Sequence, residues 1–243
     1  MRSWMLSLVF ATFAGTAFAG PLSTGDLAFT AFNADEDGWA IVTFVDIDAN
    51  TTIYFSDNEA ISTTGFNAGE SHSTWITGAA VIPAGTVVRF SAVDQVNRAA
   101  SIGSFSSVGD SGLNATTETI YAYLGINATM PTTFLAGIST EGATNLTAAG
   151  LTNGTNAVIL TNSTDFAEYT GARSGAAAFA DYKSLVFDAA NWNIVVGGNQ
   201  SAVEPNVVNF TIVPTTVVPE PATITMVLSS VAALAILRIR KGR

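Results

Sequence analysis

Thr119-Ile120-Tyr121-Ala122-Tyr123-Leu124 alternates without a break. Successive side chains of an extended chain point to opposite faces, so Ile120, Ala122 and Leu124 share one side and Tyr121 and Tyr123 the other. One of those faces is expected to be core. Eight further runs rich in β-branched and aromatic residues, at 27–32, 39–46, 51–56, 73–76, 86–92, 101–105, 133–138 and 157–160, are separated by Gly, Asn, Asp and Thr. Short strands at this spacing predict a mainly β sandwich or barrel. Asp48-Ala49-Asn50-Thr51 and Ile82-Pro83-Ala84-Gly85-Thr86 carry turn chemistry that delivers the chain into the next strand. Ser174 precedes a stretch with Phe179, Tyr182, Leu185 and Val186 at spacings of three and four, which predicts a short helix over one edge of the sandwich at 176–188. Residues 192–196 and 207–213 read as closing strands, so the β domain is expected to span 20–213, with a linker at 214–218.

Between residues 20 and 218 the basic side chains are Arg89, Arg98, Arg173 and Lys183, against 18 carboxylates, a balance of −14. Such a surface repels nucleic acid and anionic membranes while staying open to cations and neutral glycans. There is no cysteine, so neither disulfides nor thiolate metal sites hold the body together. A body of this length buries an adequate core without them.

Chemistry is sparse. His72 is the lone histidine, and in a strand its neighbours Ser71 and Ser73 point to the opposite face, so no nucleophile pairs with it locally. Carboxylates gather at Asp35-Glu36-Asp37, at Asp46 and Asp48, and at Asp57 and Glu59. Alternate acidic residues in loops can supply oxygen ligands to calcium, which makes Asp35, Asp37, Asp46, Asp48 and Asp57 the metal candidates, although none has a full calcium-loop register. The plainer reading is solvated turn carboxylates. A glycosidase needs two carboxylates converging across a cleft, which spacing does not reveal. Trp39, Trp75, Trp192 and the tyrosines can stack on sugar rings, though such residues in a sandwich are more often core. Phosphate loops, metal-spaced His/Cys sets and nucleic-acid motifs are absent.

The two ends carry addresses. Met1-Arg2, an apolar stretch at 4–13, and Ala17-Phe18-Ala19 before Gly20 make a secretory signal peptide at 1–19 with its cleavage site between Ala19 and Gly20. At the other end, Pro219-Glu220-Pro221 is followed by 16 uncharged residues at 222–237 and then by Arg238, Arg240, Lys241 and Arg243. A helix of that length covers roughly 24 Å, slightly short of a hydrocarbon core of about 30 Å, and thinning of the bilayer closes the gap. The terminal basic cluster favours a cytoplasmic C-terminus and places the body across the membrane. The two prolines hold the stretch before this transmembrane helix extended, as a processing enzyme's cleft requires. In this order of parts, residues 219–243 resemble the PEP-CTERM sorting signal of Gram-negative bacteria. The resemblance implies that an integral-membrane exosortase recognises Pro219, Glu220 and Pro221, with the basic residues as the stop. It further implies that cleavage moves the body from the inner membrane to the cell surface or outside, often where exopolysaccharide is made.

Gly25-Asp26-Leu27-Ala28-Phe29, Trp39-Ala40-Ile41-Val42, the run from Thr52 to Asn58 and the run from Ile82 to Val88 resemble the lamin-tail-type immunoglobulin-like sandwich of bacterial surface proteins. That likeness covers about 70 residues and implies a fold without chemistry of its own. The expectation is therefore an exported, non-enzymatic surface or matrix protein associated with exopolysaccharide and lacking a cofactor. A secreted polysaccharide hydrolase and a calcium-dependent adhesin are the alternatives.

Overall fold

A computed structural model describes residues 20–213. The chain is mainly β. Its strands are β1 (Leu27–Asn33), β2 (Gly38–Thr43), β3 (Thr52–Ser56), β4 (Ala60–Ser62), β5 (Gly65–Phe66), β6 (His72–Ile76), β7 (Val87–Ser91), β8 (Ala99–Ala100), β9 (Ser104–Val108), β10 (Thr119–Asn127), β11 (Met130–Ser139), β12 (Ala157–Ile159), β13 (Thr164–Tyr169) and β14 (Trp192–Val196). Two six-stranded sheets form, in the orders β14-β13-β1-β2-β7-β8 and β12-β11-β10-β3-β6-β9, with β4 and β5 as a separate ribbon. Among the described strands all pairings are antiparallel except β11 with β12.

The sheets share one apolar cluster. Phe29, Trp39, Ile41 and Phe90 from the first sheet meet Ile53, Phe55, Trp75, Ile120 and Leu135 from the second. Aromatic rings lock the layers, with Phe55 4.8 Å from Phe90, Trp75 5.3 Å from Phe90, and Trp39 5.3 Å from Phe55 between centroids. Offset and edge-on ring pairs of this kind add to the burial term.

The alternation at 119–124 sorts as expected: Ile120 and Ala122 join the inter-sheet core, and Leu124 packs against it. The opposite face is buried too. Tyr121 and Tyr123 build a second cluster with Phe134, Leu146 and Leu151, packed with Phe66 of β5. The ribbon and helix α1 (Thr144–Ala148) contribute to this layer. Gly137 of β11 permits the close approach, because a Cβ there would stand 2.5 Å from Leu146 and 2.9 Å from Leu151.

Four expectations change. Strand β13 was hidden in the sequence because Asp165 and Glu168 interrupt its apolar residues, yet it pairs directly with the central strand β1. The run at 101–105 is shifted: Gly103, at φ 80°, breaks the chain after Ile102 and the strand begins at Ser104. The helix at 176–188 reduces to a 3-10 turn (Phe179–Tyr182) and one α turn, α2 (Lys183–Val186). Ala176 is instead extended and bridges Ile212. Residues 207–213 do not form a strand beyond that isolated bridge: their bonds are scattered, with Asn209 Oδ1 accepting from Val87 N, Val208 O from the Arg173 side chain, and the Phe210 and Thr211 amides donating to Gly85 O and Arg173 O. Both predicted turns occur, with positive φ at Asn50 (58°) and Gly85 (85°). Among the described residues no helix is long and apolar enough to cross a membrane, and the stretches expected to form a signal peptide at 1–19, a linker at 214–218 and a transmembrane helix at 222–237 lie outside them.

Candidate functional site

One end of the second sheet collects carboxylates. Where β3 stops at Ser56, Asp57 and Asn58 turn the chain and fasten it to the residues ahead of β6. Asp57 Oδ1 accepts from Ser71 N at 2.7 Å and Ser71 Oγ at 2.9 Å, Asn58 Nδ2 donates to Ser71 O at 2.8 Å, and Glu70 N donates to Asn58 Oδ1 at 3.0 Å. Glu118 stands beside this knot, 4% exposed. Its Oε2 accepts from Asn114 N at 2.8 Å, and its main chain pairs with Thr140. Glu141 accepts from Thr119 Oγ1 at 2.7 Å and Asn145 Nδ2 at 2.8 Å.

The charged neighbours that shift Asp57, Glu70 and Glu118 are carboxylates. Burial, reinforced by Asp57, Glu70 and Glu141, pushes Glu118 up to about 9 despite the Asn114 amide. Burial also raises Glu70 to about 7, helped by Asp57, Glu59, Glu141 and Asp110, and raises Asp57 to about 6 against its bonds from Ser71. A carboxyl held neutral at pH 7 can donate a proton, but the adjoining crevice, lined by Trp39, Asp57, Ser71 and Leu113, is too tight for a water molecule. The Nε1 of Trp39 is buried without a partner.

The five metal candidates separate. Asp35, Asp37 and Asp57 lie at this end and Asp46 and Asp48 at the other, beyond the opposite ends of β2 and β3. Most are already bonded: Asp35 accepts from Gln200 N at 2.6 Å, Asp37 from Leu113 N at 2.5 Å and Asp46 from Ala84 N at 2.8 Å. Asp48 acts through its main-chain carbonyl, which accepts from Thr51 Oγ1 at 2.7 Å and Thr77 Oγ1 at 3.1 Å. Among the described residues no three His, Asp or Glu side chains are grouped to hold a metal ion.

His72 faces outward from β6, half-buried between Tyr123 and Phe66, whose ring centroid is 5.5 Å away. The Tyr123 hydroxyl donates to Ala128 O, so it accepts from His72 Nδ1 at 3.3 Å, leaving Nε2 as acceptor toward Asn58 Nδ2 at 3.5 Å. Burial lowers its pKa and favours this neutral form. As expected from the strand period, Ser73 lies on the other face and donates to Ser107 Oγ at 3.0 Å.

Trp39, Trp75 and Trp192 are buried, as are Tyr121, Tyr123, Tyr169 and Tyr182. Tyr54 alone of these aromatic candidates is partly exposed; it stacks on Tyr123 at 5.8 Å and 30°. Its cross-strand partners on the same face are Thr74 and then Ser106, and the next row is Thr52, Ile76 and Ser104. This outer face of β3, β6 and β9 is hydroxyl-rich, with no carboxylate or basic side chain at these positions.

The four basic residues of the described body are all engaged internally. Arg89 pairs with Glu36 at 2.5 Å and Glu204 at 3.1 Å, and Lys183 with Asp26 at 3.2 Å. Arg98 donates to Gln95 O and Ser107 O, and Arg173 to Val208 O and Tyr169 O.

Glu118 and Glu70 were not singled out in the sequence. A signal existed for Glu118, which shares the inward phase of Ile120 and Ala122. The residues expected to act in sorting, Pro219, Glu220, Pro221, Arg238, Arg240, Lys241 and Arg243, and those expected at the cleavage site, Ala17 and Ala19, lie outside the described residues; Gly20 is the first described residue and is exposed. No known protein family, curated protein or solved structure matches this chain.

Proposed function

We propose that this chain is an exported, non-enzymatic protein of the cell surface or matrix. It is delivered by its signal peptide, held in the inner membrane by its tail and released when an exosortase-like peptidase takes Pro219-Glu220-Pro221. Its body, in this reading, is an immunoglobulin-like sandwich of lamin-tail type that associates with neutral exopolysaccharide through the outer face of β3, β6 and β9. The observation that carries the binding reading is the uncharged row of Tyr54, Thr74 and Ser106 in a body of charge −14 whose four basic side chains are all engaged. Such a face has hydroxyl donors and acceptors and one ring for a sugar, and no charged side chain in these rows.

Affinity electrophoresis in gels containing neutral or anionic polysaccharide tests it. The wild type should be retarded by a neutral glycan and Tyr54→Ala much less so; equal mobility of the two chains in every gel refutes the face. Mass spectrometry of the exported protein tests the sorting reading, which an intact Arg243 would overturn. The raised carboxyls of Asp57, Glu70 and Glu118 favour a second reading, a polysaccharide hydrolase. Glycan turnover abolished by Glu70→Gln would establish it.

A further inference from the structure

The segment after β14 crosses the outer face of the first sheet without joining a β-ladder. It leaves the strand through Gly197 and Gly198, both at positive φ (79° and 90°). Asn33 Nδ2 donates to Gln200 O at 3.0 Å and Val203 O at 3.2 Å, Glu204 pairs with Arg89, and Asn206 N donates to Glu168 Oε2 at 3.0 Å. On that sheet face Ala31 and Ala40, neighbours of Glu168 and Arg89 in the register, are small and buried. Asn209 Oδ1 then accepts from Val87 N at 2.8 Å.

The strap ends in a clasp. Phe210, 2% exposed, stacks on Tyr169 at 5.8 Å, meets Tyr182 edge-on at 5.1 Å and lies 5.0 Å from the Arg173 guanidinium. Phe210 N donates to Gly85 O at 2.7 Å, and the Tyr182 hydroxyl donates to Thr211 O at 2.6 Å. Between Pro205 and Phe210 the strap is exposed, so its hold is concentrated at a few points rather than spread along a ladder. Segments held in this way open locally at lower cost than paired strands.

We propose that residues 199–213 are a releasable strap whose Phe210 clasp sets how many residues separate the anchored body from Pro219-Glu220-Pro221. The inference rests on the sorting reading above. Closed, it leaves seven residues between Thr211 and Pro219, a reach of at most about 25 Å; opened back to the Gly197-Gly198 hinge, it leaves twenty, a reach of at most about 70 Å. The short leash crowds an acidic domain against the peptidase, and opening relieves the crowding.

The test follows export and tail removal in three full-length chains: wild type, Phe210→Ala, and wild type with ten Gly/Ser residues inserted after Val213. Phe210→Ala and the insertion should each mature at least three-fold faster than wild type. Hydrogen exchange at the Asn206, Phe210 and Thr211 amides should quicken in Phe210→Ala but not in the insertion chain. Asn209→Ala, at an exposed position, serves as a second opening variant if Phe210→Ala does not fold. Equal maturation rates in all chains, or unchanged amide exchange in the opening variants, would overturn the strap alone. A wild type that keeps Arg243 after export would overturn the sorting reading and the strap's role with it.

Discussion

Replacing Glu118 with Gln should make this protein more stable at neutral pH. The carboxyl is 4% exposed and faces Asp57, Glu70 and Glu141, and its pKa rises from 4.5 to about 9. The folded state therefore keeps a proton that the unfolded chain releases once the pH passes 4.5. Stability is fully present below that value and is lost as pH rises toward 9, at about 1.4 kcal/mol per pH unit from this group. By pH 7 the loss amounts to about 3 kcal/mol, a large part of a typical domain's stability. Glu118→Gln keeps an oxygen to accept from Asn114 N and removes the ionisation. Urea unfolding across pH 4.5–8 reads the difference: the two chains should be alike near pH 4.5, and at pH 7 the variant midpoint should lie about 1.5 M higher, for a slope of about 2 kcal/mol/M. A wild-type stability that is flat or climbing between pH 5 and 8, with E118Q running parallel to it, would refute the reasoning. His72 acts in the opposite direction, since its lowered pKa costs stability only as pH falls below its ordinary value of 6.5.

Gly85 has φ 85°, and a Cβ there would collide with the Phe179 ring and the Phe210 carbonyl, so Gly85→Ala should cost about 3 kcal/mol or more in a thermal or urea melt. Trp75 is fully buried and its Nε1 donates to Ile102 O at 2.7 Å; Trp75→Phe leaves that carbonyl unpaired and a gap beside Phe90, and should cost about 2 kcal/mol by the same melt. Calcium at millimolar concentration should leave the melting temperature within about 1 °C, because Asp35, Asp37, Asp46 and Asp57 each already bond a backbone amide. A rise of several degrees would favour calcium-dependent adhesion instead.

Much of the β structure was legible because alternation is a local property of the backbone. The run at 119–124 assigned its own faces, and both turns with positive φ lay where Asn50 and Gly85 permit it. The alternation named two faces at 119–124 but not that both would be buried, since that depends on the β4–β5 ribbon and α1 arriving from elsewhere. Strand β13 escaped notice because its outward carboxylate Glu168 faces the strap rather than following an apolar pattern.

The candidate site divides along the same line. Composition alone determined the acid excess, the absence of cysteine and the scarcity of catalytic groups. Short-range order of residue types determined the readings of the two ends. Only the tertiary structure decided that Asp57, Glu70, Glu118 and Glu141, scattered over 85 positions, stand close enough to act on one another. It alone decided that Tyr54 keeps its ring in reach of solvent while Trp39, Trp75 and Trp192 lose theirs, and that Phe210 ends against Tyr169, Tyr182 and Arg173. Proximity of this kind follows from which strands pair across long loops, and strand pairing is a non-local choice made by the burial of the whole core.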